Sequence, residues 1–346
     1  MLLTWVETWF VQASAWLQGK NHWNACSQCT MRCRLSSWLK IVGLSVAFLI
    51  AFKEILLQEH WEHIQKKLIS TLTMDVSKEQ ERRKAIVHAF CRNTENRHRA
   101  YNLSNHNWLK RVFVEDRFQL LYCEIPKVGC TNWRRVLLVL AGHVEGPPDS
   151  IKHVAAHGIK KLRPLSSYSN REIKFRLTMY TKFLFVREPF NRLVSAYRDK
   201  FEGNNTLYQE IVGRWIIEKF RENPSKEALT MGKGVTFTEF VRFITYYTNY
   251  MDRHWFPMYK LCFPCDIHYD FIGKLENINI EAQWFLHHVG TPDTVDYPKR
   301  KDTAVSRTDN DITDYYIKQL SPEDRNALFE LAKQDYELFD YPKPKL

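Results

Sequence analysis

The chain has 346 residues, of which 45% are hydrophobic, and its formal net charge is +11. This length and hydrophobic content are sufficient for one large α/β domain with extensions. The positive charge favours an acidic partner, a class that includes nucleic acid, anionic lipid and polyanionic glycans. Nucleic acid is the weakest of these, because no helix-turn-helix, zinc-finger or RNA-binding motif is present.

The N-terminal region is predicted to anchor the chain in a membrane. Residues 39–57 contain the apolar run Ile41–Phe52, and their length is close to the minimum of about 17 residues for a spanning helix. Basic residues precede this run, so residues 1–38 are predicted to be a cytoplasmic tail. Glu7 interrupts the first apolar stretch and no basic residue precedes it, which disfavours a cleaved signal peptide. The alternative for the apolar run is a buried amphipathic helix.

The remainder of the chain is predicted to lie in the lumen of the secretory pathway. Residues 58–100 are polar and charged, which is typical of a stem, and residues 101–346 are predicted to form the globular domain. Sequons for N-glycosylation begin at Asn102 and Asn204, and both fit a luminal location.

Five cysteines follow the predicted anchor, so at least one is unpaired if disulfides form. They are Cys91, Cys123, Cys130, Cys262 and Cys265. The pair Cys262-x-x-Cys265, with His254 and His268 nearby, superficially resembles a metal site. A lone C-x-x-C is a weak signal, however, and the luminal context favours a structural disulfide or buried thiols. No metal site is therefore predicted, and the cysteine pairing stays open.

The stretch around Lys127 has the pattern of an anion-binding loop. The apolar run Leu120–Ile125 predicts a buried strand, Pro126 ends it, and helical spacing returns from Trp133. A tight loop between a strand and a helix N-terminus is a frame that binds phosphate. Lys127 would supply a charge and Thr131 a hydroxyl. The Walker A motif is absent, and a buried strand followed by a surface lysine is the alternative reading.

A second stretch has the same organisation. Phe183–Val186 predicts a strand, Arg187 lies at its carboxyl end, and a helix that carries Ser195 follows Pro189. Ligands of open α/β sheets bind at the carboxyl ends of the strands, and an arginine fork suits a phosphate. Two anion sites about sixty residues apart suggest a nucleotide that is phosphorylated at two positions.

The other elements follow from apolar spacing and turn residues. Helices are predicted over 207–220 and 237–247, with a loop over 223–234, and an extended segment over 269–272. Ser321 followed by proline and two acidic residues is typical of a helix start. The predicted apolar face of this last helix consists of Leu328, Phe329, Leu331 and Ala332.

Both anion motifs resemble those of the Golgi carbohydrate sulfotransferases, in the branch of the chondroitin, dermatan and N-acetylgalactosamine 4-O-sulfotransferases. Residues 126–132 are similar to the 5′-phosphosulfate loop of that family, and residues 187–195 to its 3′-phosphate motif. The resemblance runs from about Cys91 to the C-terminus. It implies a P-loop-like α/β fold with a central parallel sheet, behind a membrane anchor and stem. It also implies a single-pass type II protein of the Golgi membrane.

The resemblance further implies 3′-phosphoadenylyl sulfate as the sulfate donor, without a metal. The residues of the first motif assigned to the donor are Pro126, Lys127, Val128, Gly129, Cys130, Thr131 and Asn132. Those of the second motif are Arg187, Glu188, Pro189, Phe190, Asn191, Arg192, Leu193, Val194 and Ser195. Arg192 is predicted to contact either the bound sulfate donor or a carboxylate within the domain, and the sequence favours neither. Trp133 is predicted to be either a core residue or a neighbour of the adenine.

The predicted catalytic residues are Lys127 and His157. Lys127 would stabilise charge on the departing phosphate. His157 would take the proton of the acceptor hydroxyl, since related enzymes place a histidine or glutamate base after the first helix. His254 is the alternative base, although a His-Trp pair also suits a sugar subsite or the core. Asp270 and Glu276 are further candidates, but such carboxylates more often pair with basic groups.

The predicted acceptor is the 4-hydroxyl of N-acetylgalactosamine in chondroitin or dermatan. Alternatives within the family are N-acetylgalactosamine on N-glycans, which residues 121–127 and 251–255 resemble more closely, and the 3-hydroxyl of terminal glucuronic acid. A catalytically silent membrane protein that binds polyanions is the alternative outside enzymes. A nucleotide kinase is disfavoured because the Walker lysine-hydroxyl motif is missing.

Overall fold

The computed structural model describes residues 52–55, 57–58, 60–61, 64, 75–92, 106–158, 161–249, 251–299 and 308–345. The predicted tail, most of the predicted anchor and the Asn102 sequon lie outside these residues. Within the described ranges, no helix has both the length and the apolar character needed to cross a membrane. The chain divides into two units, Met1–Thr71 and Leu72–Leu346, and every element discussed below belongs to the second.

A sheet of four short strands forms the centre of the second unit. The strands are β1 (Val112–Glu115), β2 (Leu120–Cys123), β3 (Thr181–Val186) and β4 (Phe271–Lys274), and they lie in that order across the sheet. Nearly every strand residue is buried, as expected for a sheet that is covered on both faces.

The sheet is mixed, which corrects the prediction of a purely parallel one. Strands β2, β3 and β4 are parallel, whereas β1 pairs antiparallel with β2. Four residues join β1 to β2, and this is long enough for a hairpin but too short for the crossover that parallel strands require. The parallel part of the prediction holds because helical segments connect β2 to β3 and β3 to β4.

The register of β3 against β4 explains why residue 273 is a glycine. Phe185 lies opposite Gly273, and a Cβ added at Gly273 would lie 2.2 Å from the Phe185 ring. The large ring and the missing side chain are therefore complementary, and they bring β4 close to the layer of aromatic residues on one face of the sheet.

Helices surround the sheet and build a second, mostly helical layer. They are α1 (75–92), α2 (Cys130–Leu140), α3 (His153–Gly158), α4 (Asn170–Met179), α5 (Pro189–Tyr197), α6 (Thr206–Tyr208), α7 (Arg214–Phe220), α8 (Lys226–Met231), α9 (Phe237–Tyr246), α10 (Met258–Cys262), α11 (Pro264–Ile267), α12 (Ile278–His288), α13 (Asn310–Ile317) and α14 (Pro322–Leu338). Wider π-helical turns occupy Arg198–Glu202 and Gln209–Gly213, and 3₁₀ turns occupy His106–Leu109, Pro148–Ser150, Leu165–Ser167 and Leu275–Asn277.

The helices that the sequence predicts are present near their expected positions, and the structure adds others, among them α4, α12 and α13. The predicted loop over 223–234 is wrong, because it contains α8, whose first turn is capped by the Ser225 hydroxyl. The predicted helix over 207–220 is interrupted by a π-helical turn. The start of α14 is confirmed, since the Ser321 hydroxyl accepts a hydrogen bond from the Asp324 N–H.

Two hydrophobic clusters form the core. The first contains the sheet and is centred on Trp133, which is fully buried against Tyr122, Phe183 and Phe285. Trp133 is thus a core residue, which decides between its two predicted roles. The second cluster contains Tyr197 and α9, and it packs α5 against α14. Both anion motifs follow strands of the first cluster, which gives them a rigid base.

Helix α1 packs on the sheet, although its residues fall in the predicted stem. The Gln80 side chain both donates to and accepts from the main chain of Ile272 in β4. Arg83 forms a buried ion pair with Glu281 of α12 at 2.7 Å. These contacts attach residues 75–92 to the globular unit. The division of the chain into tail, anchor and stem stays a prediction.

Two disulfides reinforce the same region. Cys91 at the end of α1 is bonded to Cys265, and Cys123 at the end of β2 is bonded to Cys262. The two cysteines of the C-x-x-C pair therefore bind distant partners rather than each other. Cys130 is a free thiol, and burial raises its pKa to about 11.

We expect the Arg83–Glu281 pair to be essential for stability. Arg83→Ala leaves Glu281 buried without its charge partner, which costs about 3–5 kcal/mol of unfolding free energy. Arg82→Ala is the matched control, because Arg82 is half exposed and its ion pairs contribute about 0–1 kcal/mol. Denaturant unfolding of the two variants checks this, and equal losses of stability would contradict it.

Candidate active site

The loop after β2 is shaped by two residues in the left-handed region of the backbone. Lys127 has φ +70° and Gly129 has φ +75°. Gly129 directly precedes α2, and its carbonyl accepts hydrogen bonds from the N–H groups of Asn132 and Trp133. A Cβ on Gly129 would lie 2.4 Å from the Tyr297 hydroxyl, so this position requires glycine. The loop is therefore packed closely against the 297–298 segment.

Lys127 lies at the edge of this loop and is mostly buried. Its Nζ is 3.2 Å from Oδ2 of Asp199, and the same oxygen also pairs with Lys200. Burial lowers the pKa of Lys127, and the attraction of Asp199 opposes that shift. One carboxylate thus holds two lysines, which leaves an excess of positive charge to bind an anion.

Arg187, at the carboxyl end of β3, connects the two anion motifs. It donates from Nη1 to the Lys127 carbonyl at 3.2 Å and from Nη2 to the Thr308 carbonyl at 2.5 Å. Arg198 donates to the Thr308 hydroxyl at 2.9 Å. The guanidinium of Arg187 therefore holds the Lys127 loop and Thr308 at the carboxyl end of β3.

These residues open onto a cleft of about 1200 Å³. Five predicted site residues line it, namely Lys127, Gly129, Asn132, Arg187 and Ser195. Cleft residues that are absent from the predicted site include Arg198, Tyr297, Lys299 and Thr308. Arg198 lies three residues after Ser195 on the same helical run, which is a usable signal. Tyr297, Lys299 and Thr308 lie outside the helices and strands of the described residues, and no sequence motif marks them. The cleft is large enough for a nucleotide.

Arg192 and Glu188 lie in the second motif but do not line the cleft. Arg192 is buried and donates to the carbonyls of Pro126, Arg253 and Phe256 at 3.1, 3.0 and 2.8 Å. Its guanidinium is thus hydrogen-bonded to main-chain carbonyls and not to a carboxylate. Glu188 caps the start of α5 and accepts from the Tyr336 hydroxyl. Both side chains support the main chain around the cleft.

The remaining residues of the two motifs also lie outside the cleft lining. Asn191 donates to Asn310, and Phe190, Leu193 and Val194 belong to the second hydrophobic cluster. The others outside the lining are Pro126, Val128, Cys130, Thr131 and Pro189. The structure thus gathers the polar ends of the motifs in one place and uses the apolar positions for packing.

His157 lies beside Thr131 of the loop. Its Nε2 is 3.0 Å from the Thr131 hydroxyl, and neither residue lines the cleft. Burial and the nearby Arg134 lower the pKa of His157. Beneath it, Glu124 is buried between Arg111 and Arg134 and forms ion pairs with both. His157 as the base stays a prediction.

The two carboxylates that the sequence offers as alternatives both have structural partners. Asp270 pairs with Lys182 at 2.8 Å. Glu276 lines the cleft, but its oxygens accept from the Glu188 N–H and from the Tyr341 hydroxyl. In the part of the chain that the structure describes, no cluster of three or more His, Cys, Asp or Glu is arranged to hold a metal ion.

Comparison with known proteins identifies the family to which this chain belongs. The model of the "Sulfotransferase family" matches residues 110–342, which include both anion motifs and all four strands. The chain belongs to the sulfotransferase family. This match confirms the family resemblance that residues 126–132 and 187–195 indicate. The similar proteins are carbohydrate sulfotransferases.

Several curated sulfotransferases are similar over most of the described domain. Mouse carbohydrate sulfotransferase 8 is 44% identical over 240 residues, which cover 68% of this chain and 57% of that protein. Human carbohydrate sulfotransferase 9 is 40% identical over 276 residues, covering 77% and 61%. Rat carbohydrate sulfotransferase 11 is 37% identical over 294 residues, covering 83% and 82%. The chain thus matches less than two thirds of the first two relatives. No solved structure matches this sulfotransferase.

We expect Gly129→Ala to abolish nucleotide binding in the cleft, for which adenosine 3′,5′-bisphosphate is the probe. The added Cβ clashes with the buried Tyr297 and displaces the loop between Lys127 and Asn132. Gly234→Ala is the matched control, because Gly234 also has φ +75° but has no atom within 4 Å of an added Cβ. Each variant loses about 1–2 kcal/mol of stability from backbone strain. Calorimetry that finds equal nucleotide affinity in the two variants would rule out the role of Gly129.

Proposed function

We propose that the chain transfers the sulfuryl group of 3′-phosphoadenylyl sulfate to a hydroxyl of a carbohydrate. The observation that carries this proposal is the meeting of Lys127, Arg187 and Ser195 in one cleft. A lysine after β2 and an arginine after β3 are separated by sixty residues of sequence, and yet one hydrogen bond joins them. Membership of the sulfotransferase family supports the reaction.

Each side chain has a separate task in this proposal. Lys127 stabilises the negative charge that develops on the bridging oxygen as the phosphate leaves. The N–H groups at the start of α2 bind the 5′-phosphosulfate, as helix N-termini bind anions. Arg187 and Ser195 hold the 3′-phosphate, with Arg198 as an additional donor, and so distinguish this sulfate donor from ordinary adenine nucleotides.

The proposed acceptor is the 4-hydroxyl of N-acetylgalactosamine in chondroitin or dermatan. The net charge of +11 suits a polyanionic glycan, whose approach it accelerates. The motif at 121–127 favours N-acetylgalactosamine on N-glycans as the second candidate. Terminal glucuronic acid remains the third, and each of the three acceptors predicts a different labelled product.

The proposed location is the Golgi membrane, with the catalytic domain in the lumen. Two disulfides support an oxidising compartment, because such bonds do not persist in the reducing cytosol. Asn204 is exposed, so its sequon is open to glycosylation. The single-pass anchor at 39–57 belongs to the same proposal.

We expect Lys127→Ala to reduce sulfate transfer about 10²–10³-fold, since removing one charge-stabilising group from a transition state has that effect. The assay uses the full chain, a radiolabelled donor and four acceptors: desulfated chondroitin, dermatan, an N-acetylgalactosamine-terminated N-glycan and a glucuronyl-terminated glycan. Lys219→Ala, an exposed lysine far along the chain, should retain full activity.

The products separate the candidate functions. A 4-sulfated disaccharide after digestion of chondroitin supports the proposed acceptor, whereas label on another glycan moves the proposal to that acceptor. A folded chain that binds polyanions but transfers no label to any acceptor is the silent binder, and it would refute the proposed activity.

A further inference from the structure

Arg192 connects the Lys127 loop to the segment that carries His254. Its guanidinium donates to the carbonyl of Pro126, which immediately precedes Lys127. The same guanidinium donates to the carbonyl of Arg253, which immediately precedes His254. One side chain therefore holds the two peptide groups next to Lys127 and His254. These two residues are far apart in sequence, and the Arg192 guanidinium links the peptide groups beside them.

The imidazole of His254 is oriented by a carboxylate. Its Nδ1 lies 2.5 Å from Oδ1 of Asp252, and the Asp252 oxygen also accepts the His254 main-chain N–H at 2.9 Å. The Tyr208 hydroxyl donates to the other Asp252 oxygen at 3.1 Å and lies 3.0 Å from Nδ1 of His254. With its Nδ1 proton directed to Asp252, the ring keeps the lone pair of Nε2 for a substrate.

The Nε2 atom of His254 has no hydrogen bond to any residue that the structure describes, whereas His157 uses its Nε2 for the Thr131 hydroxyl. An aspartate that orients one nitrogen while the other is available is the arrangement of a general base. His254 is therefore better prepared to accept a proton than His157.

The same cluster adjoins the wall of the cleft through Tyr208, although His254 itself, like His157, is not among the residues that line it. Thr206 and Leu207 line the cleft, and Tyr208 follows them in α6. Lys200 lies 4.5 Å above the Tyr208 ring and 3.0 Å from Asp199, which in turn pairs with Lys127. Lys127 and His254 are thus connected both by the hydrogen bonds of Arg192 to the main chain and by contacts through Asp199, Lys200 and Tyr208.

The charges around His254 favour its neutral form. Burial lowers its pKa, Lys200 and Arg253 lower it further, and only Asp252 opposes them. The hydrogen bonds from His254 and Tyr208 hold the pKa of Asp252 down at about 2, against the effect of burial. Asp252 is therefore ionised, and His254 is uncharged at neutral pH, as a base must be before it takes a proton.

We propose that His254, oriented by Asp252 and Tyr208, is the base that accepts the proton of the acceptor hydroxyl. The acceptor oxygen forms a bond to sulfur while the bond from sulfur to the phosphate oxygen breaks. The hydroxyl proton passes to Nε2 of His254 and then to solvent, and adenosine 3′,5′-bisphosphate leaves. This inference rests on the proposed sulfate transfer and assigns to His254 the role that the sequence alone gives to His157.

The test compares His254→Gln with His157→Gln in the full chain. Sulfate transfer is measured over a range of pH with the best acceptor, and affinity for adenosine 3′,5′-bisphosphate is measured by calorimetry. We expect His254→Gln to lower kcat about 10²–10⁴-fold with unchanged nucleotide affinity, since that is the usual contribution of a general base. His157→Gln should retain kcat within about tenfold.

The pH profile separates a base from a merely structural histidine. Wild-type activity should fall on the acidic side as His254 becomes protonated, at a pH below the ordinary range of an imidazole because burial lowers its pKa. Asp252 raises the pKa of His254, so Asp252→Asn should move this acidic limb to lower pH. In the residual activity of His254→Gln the limb should be absent. Tyr208→Phe keeps the ring against Lys200 and should move the limb only slightly.

Three outcomes would overturn the inference. The first is full activity of His254→Gln, and the second is an acidic limb that disappears in His157→Gln instead. If His254→Gln does not fold, an unshifted limb in Asp252→Asn is the third. A wild-type chain that transfers no sulfate to any acceptor refutes the proposed function itself, which distinguishes that failure from these.

Discussion

The candidate active site depends on main-chain carbonyls that two buried guanidinium groups hold in place. Arg187 binds the carbonyls of Lys127 and Thr308, and Arg192 binds those of Pro126, Arg253 and Phe256. A buried arginine needs partners for its donors, and burial lowers the pKa of Arg192 to about 10. Irregular segments offer unpaired carbonyls in return. Each arginine thus satisfies main-chain carbonyls of the loops that it joins, and these hydrogen bonds determine the shape of the cleft.

The division of work within one motif follows from helix geometry. In α5, Ser195 faces the cleft, while Arg192 faces the loop and Leu193 and Val194 face the second hydrophobic cluster. A nine-residue helix therefore contributes at once to the ligand site, to loop positioning and to the core. The aromatic core around Trp133 keeps the strand ends fixed, so the charged groups need little rearrangement to bind an anion.

The sequence predicts those features that depend on local pattern and on strand ends. Lys127 and Arg187 are recognisable because each follows a short apolar run, and Ser195 because it lies on the helix after the second run; the ends of parallel strands meet at one edge. Helix α1 is polar over most of its surface, so it shows no strong apolar period. Thr308 and the disulfide partners depend on contacts between distant segments. No local pattern encodes such contacts, which also explains why the partners of Arg192 were missed.

The attachment of α1 has a consequence for release of the enzyme from a membrane. If residues 39–57 are an anchor, proteolytic shedding before residue 72 would liberate a domain that retains the Arg83–Glu281 pair and the Cys91–Cys265 bridge. A cut between residues 93 and 105 would have a different result. The Cys91–Cys265 bridge would keep the nicked fragments covalently joined, and the domain would remain tethered at the bilayer. Only reduction combined with cleavage would then set it free.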